Sequence, residues 1–573
     1  MKPKNRFTKT TVYIAGIIAG AILLSLKFIR IDLTSEGRYT LSDFTVSLLE
    51  SLDDKVYVKV YLEGEGLPVT LKRYKREIKE ELDEFKAFAG DNIVYEFIDP
   101  AESKDKEVRF AFYKSLTEKG LLPIETTEIS DDGKTSQKMV FPGAGISYKG
   151  KETIVNLLKT TGGLAPESEE NVNNSIQSLE YELTNAIQKL SKKSKPEIAF
   201  INGHGELNEY EVMDISTALS EYYTVKTGKI GGQAGILDGF KAVIIANPQE
   251  PFSEEDKFVI DQYIMKGGNL LCLIDGVRTD IDSLFITGST MALAQDLNLN
   301  DLLFEYGVRI NNNLLQDLFS SPIGLSTKAS DGSTKINHYP WYFFPVLVSE
   351  NNHVISKYLN YVRTEFTSTL DTVGLDPDVK KTILLRSSQD TRLEPIPAKI
   401  SLDMINLLPP DNQMKSGKKN IAVLLEGKFT SVFKNRPVEK YFPELSGADI
   451  RTKSKPAKII VISDGDIIRN EVTSDGRPYP IGFDRFTRQT FTGNGELILN
   501  AVNYLCDDEG LMTIRSREIK MRLLNRELIA EHKLLIKSLN VVLPLIPILL
   551  LGFLVSFVRK RKYQSNTKPL TKE

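Results

Sequence analysis

The chain has 573 residues, 41% of them hydrophobic and 26% charged, enough for a large folded core and several domains. A formal net charge of −3 excludes the basic character expected of a nucleic-acid binder. Two cysteines and four scattered histidines, with no CxxC, exclude a structural zinc site, which takes about four clustered ligands.

Charge is uneven along the chain. The first ten residues carry Lys2, Lys4, Arg6 and Lys9 and no acid, and the last fifteen carry six basic residues against Glu573. Thr10 to Leu26 is uncharged and mostly apolar, and Phe28 and Ile29 extend it past a Lys27 able to snorkel. Residues 10–29 therefore read as a first transmembrane helix, with a cleaved signal peptide as the rival reading. Ser538 to Val558 is a second span of 21 uncharged residues closed by Arg559-Lys560-Arg561-Lys562; a buried core helix is the alternative. Pro544 and Pro547 lie within it, where a membrane helix tolerates them. The basic flanks place both tails, 1–9 and 559–573, in the cytoplasm and the mildly acidic body outside it.

In chain order, Thr40 and Ser42 are helix caps before a short helix from Asp43 to Leu52. Lys55 to Leu62 alternates as a strand, and Leu71, Tyr74, Ile78, Leu82, Phe85 and Phe88 stripe a helix that Gly90 ends. Ile93 to Ile98 is a second strand, and 139–141, 145–148 and 152–157 suggest more. This is a small α/β domain over 30–190, thioredoxin-like in outline but without a cysteine, which excludes thioredoxin redox chemistry. Val172, Ile176, Leu179, Leu183, Ile187 and Leu190 form the stripe of a long helix, and the polar run from Ser191 to Lys195 marks a domain boundary.

Strands at Glu197–Ile201, Thr224–Lys226, Ala242–Ala246 and Asn269–Ile274 alternate with helices, one of them capped by Ser253. The pattern predicts a doubly wound parallel sheet over 191–514. Later strands fall at 308–310, 421–425 and 458–462, and the Pro/Ser/Asp-rich stretch near 320–413 reads as an insertion. The stretch 515–537 is a basic juxtamembrane helix whose charges either meet lipid phosphates or form a solvated face.

Three loops follow strands, where ligands bind in such sheets. Asn202-Gly203-His204-Gly205-Glu206 pairs a histidine and a carboxylate, but no other histidine joins them in sequence, so a structural or ligand-contact loop outweighs catalysis. Asp464-Gly465-Asp466 offers two carboxylates, too few for a metal, and a capped turn is the plainer reading. Leu273-Ile274-Asp275-Gly276 resembles a nucleophile elbow in position only: Cys272 sits inside the apolar run, and neither G-x-C-x-G nor G-x-S-x-G occurs. No catalytic residue, metal site or cofactor is expected, and Asn202, Gly203, His204, Gly205, Glu206, Asp275, Asp464 and Asp466 stand as ligand-contact candidates. The two cysteines are expected as free thiols, with a Cys272–Cys506 bridge open in an oxidising compartment. No G-x-x-x-x-G-K-[ST] is present, so any ATP hydrolysis belongs to a partner.

Several segments carry a resemblance. They are D-L-T-x-E-x-R-Y-T-L-S (Asp32–Ser42), E-F-I-D-P (Glu96–Pro100), F-P-G-A (Phe141–Ala144), S-L-E-Y-E-L-T-N-A-I (Ser178–Ile187) and N-G-H-G-E-L (Asn202–Leu207). L-L-E-G-K-F-T-S (Leu424–Ser431), V-I-S-D-G-D-I-I-R-N (Val461–Asn470) and N-V-x-x-P (Asn540–Pro544) continue the series. In this order they resemble the gliding-motility-associated ABC transporter substrate-binding family (GldG) of Bacteroidetes, and more broadly the ABC-transporter auxiliary proteins. The resemblance implies an inner-membrane, largely periplasmic, non-enzymatic subunit partnered by an ABC permease and a separate ATPase, with homo-oligomerisation open. It implies an amidotransferase-like sheet in the middle domain without catalytic residues, and supplies no substrate. A non-transport scaffold or glycan/protein-binding platform of the motility or secretion apparatus is the alternative, and an amidotransferase-like hydrolase a third.

Overall fold

The computed structural model describes residues 40–129, 135–160, 165–192, 194–328, 334–349, 353–374, 376–406, 413–438, 450–473, 475–516 and 531–564. The first apolar run, 10–29, the start of the Asp32–Ser42 motif and most of 515–537 lie outside these residues. The chain divides into two units, Met1–Glu518 and Ile519–Glu573.

In the first unit, helix α1 (Asp43–Glu50) starts where Ser42 Oγ accepts the Thr45 N–H at 3.1 Å. Ser42 N–H and Thr45 Oγ1 both donate to Glu180 Oε1, at 2.7 and 2.8 Å. Two of the segments quoted above thus meet in space: T-L-S docks on S-L-E-Y-E-L-T.

A four-stranded sheet follows, of β1 (Val56–Val60), β2 (Ile93–Phe97), β3 (Gly143–Tyr148) and β4 (Lys151–Asn156), in the order β2-β1-β3-β4. β1 and β2 are parallel, and β3 and β4 are antiparallel. The crossover is α2 (Val69–Ala89), whose buried Leu71, Tyr74, Ile78, Leu82 and Phe85 are the stripe read from the sequence. Gly90 ends it at φ 61°. α3 (Lys106–Glu118) and a hairpin of Ile124–Ile129 with Thr135–Val140 complete this region. α4 (Glu169–Ser191) packs on α2 and β4 and also places Tyr181 in the core of the next sheet.

That sheet has nine strands. Its parallel part is β5 (Glu197–Asn202), β6 (Thr224–Lys229), β7 (Ala242–Ala246) and β8 (Asn269–Leu273). Its later strands are β9 (Val308–Ile310), β10 (Leu370–Thr372), β11 (Val379–Arg386), β12 (Asn420–Gly427) and β13 (Ala457–Ile462). The order is β9-β10-β12-β13-β8-β7-β5-β6, with β11 paired to β12. β13, β8, β7, β5 and β6 run parallel, whereas β12 is antiparallel to β13 and the strands beyond it are antiparallel as well. The sheet is therefore mixed rather than wholly parallel. The stretch 320–413 also supplies two of its strands, β10 and β11, besides hairpins such as Ile323–Lys328 with Thr334–Tyr339.

Both faces of the parallel part are covered, which is why β7 is buried at every residue. Helices α5 (Met213–Ser220) and α9 (Gly493–Cys506) pack Leu219, Leu497, Ile498 and Val502 against Phe200, Ile244, Leu271 and Ile460. On the other face, α6 (Glu254–Met265) and α8 (Asn300–Tyr306), which lie before and after α7 (Ile281–Thr287), meet Val243, Ile245, Cys272 and Val461. Each such buried side chain contributes about 1.5–3 kcal/mol relative to exposure. α10 (Leu511–Ser516) closes the first unit, where Tyr181 Oη lies 3.4 Å from the Met512 sulfur.

The second unit contains α11 (Lys533–Gln564). Its segment Lys533–Phe557 is 25 residues long and is long and apolar enough to cross a membrane. At 1.5 Å per residue it measures about 37 Å against a hydrocarbon thickness of about 30 Å. Its apolar side chains are uncovered, Phe553 being 78% exposed, and Pro544 and Pro547 lie inside it.

Candidate functional site

The strand order creates one place where a crevice must open. β6 lies on one side of β5, while β7, β8 and β13 extend the sheet on the other. The direction of winding reverses between β5 and β7, and loops leaving the carboxyl ends of such a pair diverge. Four loops reach that edge: 203–207 after β5, 247–250 after β7, 274–279 after β8 and 463–470 after β13. Two cavities of about 230 Å³ each lie among them. The first is lined by Glu206, Asn247, Asp275, Arg278, Gln295 and others, and the second by Arg363, Glu471 and Arg485 among others. Glu365, Asp466 and Arg469 line both.

The loops are tied by their own polar atoms. Asp275 Oδ1 accepts the Gly465 N–H at 2.7 Å. Asp464 Oδ1 accepts the N–H groups of Asp466 and Ile467 at 2.9 and 3.1 Å, capping a short turn, and its Oδ2 accepts the Glu365 N–H at 2.9 Å. Asn247 Nδ2 donates to Asp466 Oδ1 at 3.3 Å. Gly465 is required here, because a Cβ would stand 2.3 Å from Asn247 Cγ. Three aspartates thus share one small, poorly hydrated space. Burial and the Asp466 charge push Asp275 well above the usual carboxylate range, and burial with the Asp275 and Asp466 charges does the same to Asp464. Burial and the Glu365 charge, opposed by Arg469, bring Asp466 up to about 6. Burial brings Glu471 up to about 7 against the pull of Arg485.

Of the sequence candidates, Glu206, Asp275 and Asp466 are brought together on the cavity wall, with Asp464 buried beneath them. His204 goes elsewhere. Its Nδ1 lies 3.1 Å from Glu206 Oε1 and its Nε2 3.0 Å from Asp256 Oδ2 on α6, with the ring stacked 3.7 Å from Phe252. Burial pushes its pKa down, but the bonds to Glu206 and Asp256 outweigh that and raise it. The imidazole is a clamp between β5's loop and α6, held by two carboxylates and closed off from the cleft. Gly205, at φ 73°, lines the first cavity, while Gly203, at φ 114°, gives the loop its other sharp turn. Asn202 closes β5 opposite Lys229, its Oδ1 buried without a hydrogen-bond partner among the described residues. Cys272 and Cys506 are free thiols.

The residues that sequence reasoning missed are Asn247, Gln295, Arg363, Glu365 and Arg469. Arg469 was within reach: it stands three residues after Asp466, and its Nη1 pairs with Asp466 Oδ1 at 3.3 Å. Arg363 and Glu365 come from an irregular stretch with no periodicity to read. No group of three or more His, Cys, Asp or Glu residues converges as metal ligands among the described residues. The arrangement suits binding of a small polar molecule.

The molecule is a mixed α/β protein with a charged cleft at the switch point of its largest sheet. A family model described as an ABC-type uncharacterized transport system matches residues 195–501, the region that builds this sheet and cleft, and the chain belongs to that family of auxiliary transport proteins. A model of a domain of unknown function matches residues 35–147. An uncharacterized protein of Borreliella burgdorferi is 23% identical over 558 residues, covering 94% of this chain and 95% of its own. The mmIFT52 N-terminal domain is 16% identical, covers 54% of this chain and 96% of its own, and gives a TM-score of 0.30. A ThuA-like protein from Parabacteroides merdae is 12% identical, covers 55% and 90%, and gives 0.26. The family and the apolar helix together point to a membrane-associated protein.

Proposed function

We propose that the chain is the membrane-anchored, substrate-binding auxiliary subunit of an ABC-type transporter, of the gliding-motility-associated GldG kind. Anchors at 10–29 and 538–558 hold residues 30–514 on the periplasmic side of the inner membrane, with both termini in the cytoplasm. A thioredoxin-like domain (30–190) and an amidotransferase-like domain (191–514) form the body, which docks on a permease driven by a separate ATPase. The cleft formed by Glu206, Asp275 and Asp466 receives the ligand, and no chemistry is performed on it. The carrying observation is the family match through the sheet that holds the cleft, followed in the chain by a helix apolar enough to span a bilayer.

Affinity purification of the full chain from membranes in mild detergent tests this. A permease and an ATPase in constant ratio are expected; their absence leaves the non-transport scaffold reading in place. A reporter fused near residue 330 is expected to be active only outside the cytoplasm.

A further inference from the structure

The two cavities adjoin at Glu365, Asp466 and Arg469, and their volumes, about 230 Å³ each, together fall within the roughly 300–1,000 Å³ of small-ligand sites. Their walls carry both charges, unequally. The first cavity is lined by five acidic residues, of which Glu206 has its carboxylate enclosed and bonded to His204, and the second adds two more, against four arginines. Three of those arginines are engaged by protein carboxylates. Arg363 Nη1 bonds Glu365 at 2.5 Å, Arg469 meets Glu211 and Asp466, and Arg485 lies 3.5 Å from Glu471. Asp275 faces Asp466 and receives no cationic side chain within ion-pair distance among the described residues.

Two further atoms say what a ligand must offer. Gln295, which lines the first cavity, has its Oε1 buried with no donor among the described residues, although its Nε2 is fixed by the Pro248 carbonyl at 2.8 Å. On the wall of the second, Arg363 is 6% exposed, and its Nε and Nη2 make no hydrogen bond among the described residues, Asp484 Oδ1 standing 3.8 Å from Nη2. Buried polar atoms left unpaired are costly, because they lose water without gaining a partner. These atoms have no exposed area of their own and meet a ligand only after a side-chain shift; the first cavity then offers an acceptor beside carboxyl groups, and the second donors on a guanidinium. Arg278 is exposed, its guanidinium makes no ion pair or hydrogen bond among the described residues, and it adds a second anion-attracting group at the rim of the first cavity.

We propose that this cleft binds a small zwitterion of the amino-acid type, its ammonium set among Asp275, Asp466 and Gln295 and its carboxylate directed toward the arginines. The proposal rests on the substrate-binding part of the reading above, but its test uses the isolated chain and so fails or succeeds independently of co-purification.

Isothermal titration of the full chain in detergent micelles with each of the twenty common amino acids, with putrescine as a cation-only probe and succinate as an anion-only probe, is the experiment. At least one amino acid is expected to bind with a Kd below about 1 mM, equivalent to roughly −4 kcal/mol, and tighter than either control. Asp275→Asn is expected to weaken it tenfold or more, and Arg278→Gln, on the exposed rim where folding is not at stake, several-fold. Absence of binding by every amino acid overturns the proposal. So does putrescine or succinate binding as tightly as the best amino acid, or wild-type affinity in Arg278→Gln and in a folded Asp275→Asn.

Discussion

Asp275 and Gly465, 190 positions apart, are joined by a 2.7 Å hydrogen bond from the Gly465 N–H to the Asp275 carboxylate. The bond links the loop after β8 to the loop after β13, strands that are neighbours only because β13 returns to pair with β8. It fixes the floor of the cleft and holds Asp466 beside Asn247.

Gly465→Ala is the sharpest probe of that floor. Its new Cβ would stand 2.3 Å from Asn247 Cγ and 2.5 Å from Asn247 Oδ1, so Asn247 must move and the Asn247–Asp466 bond breaks. Overpacking of this kind costs about 1–3 kcal/mol. A lowered thermal midpoint by circular dichroism is expected, and an unchanged midpoint would show that the loops are looser than their bonds imply.

The buried carboxyls give stability a definite pH slope. Asp466 at about 6 and Glu471 at about 7 lie above their unfolded values of about 3.9 and 4.3. Between unfolded and folded pKa the native state holds the extra proton, so stability falls as pH rises from about 4 to 7. With one pKa unit worth about 1.4 kcal/mol, Asp466→Asn removes on the order of 3 kcal/mol of that fall. Thermal midpoints from pH 4.5 to 7.5 should decline less steeply in the variant than in the wild type, and parallel curves would refute the assignment.

His204 adds a slope from a different cause. Its pKa is raised in the fold because Glu206 and Asp256 hold both ring nitrogens, at 3.1 and 3.0 Å. That stabilisation is complete below the unfolded histidine value of about 6.5 and is lost as pH rises through the folded one. His204→Gln should therefore lower the melting midpoint more at pH 6 than at pH 9, the loss of stability being of order 1–3 kcal/mol at the acid end. A penalty equal at both pH values would mean that the clamp works through packing on Phe252 alone.

Much of this was readable in the sequence because it is local. The stripe from Leu71 to Phe85, the continuous apolar runs at Ala242–Ala246 and Lys458–Ile462, and the cap at Ser253 are decided by residues within a turn or two of one another. The position of Asp275 and Asp466 after strands was likewise legible. Their convergence was not, since it depends on β13 pairing with β8 and not with an earlier neighbour. His204 looked like a contact residue because its partner Asp256 is 52 positions away on a helix, a spacing that carries no signal. The antiparallel part escaped for a related reason: β12 is as apolar as the parallel strands, and buried runs do not declare their direction.

Cys272 gives a test of how tightly the sheet is closed. It lies in β8 between Leu271 and Leu273, in register with Ile245 and Val461, and is 1% exposed. Burial pushes its thiol up to about 12, and Cys506 at the end of α9 is pushed to about 12 as well. At pH 8 the thiolate fraction is then roughly one part in ten thousand, and the thiolate is the species that alkylates. Iodoacetamide at pH 8 should leave both thiols of the native chain unmodified over a period that labels both in denaturant, as followed by intact mass. Labelling of Cys272 in the folded chain at a rate near that of a free thiol would mean that β8 opens locally, and with it the edge of the sheet that carries Asp275.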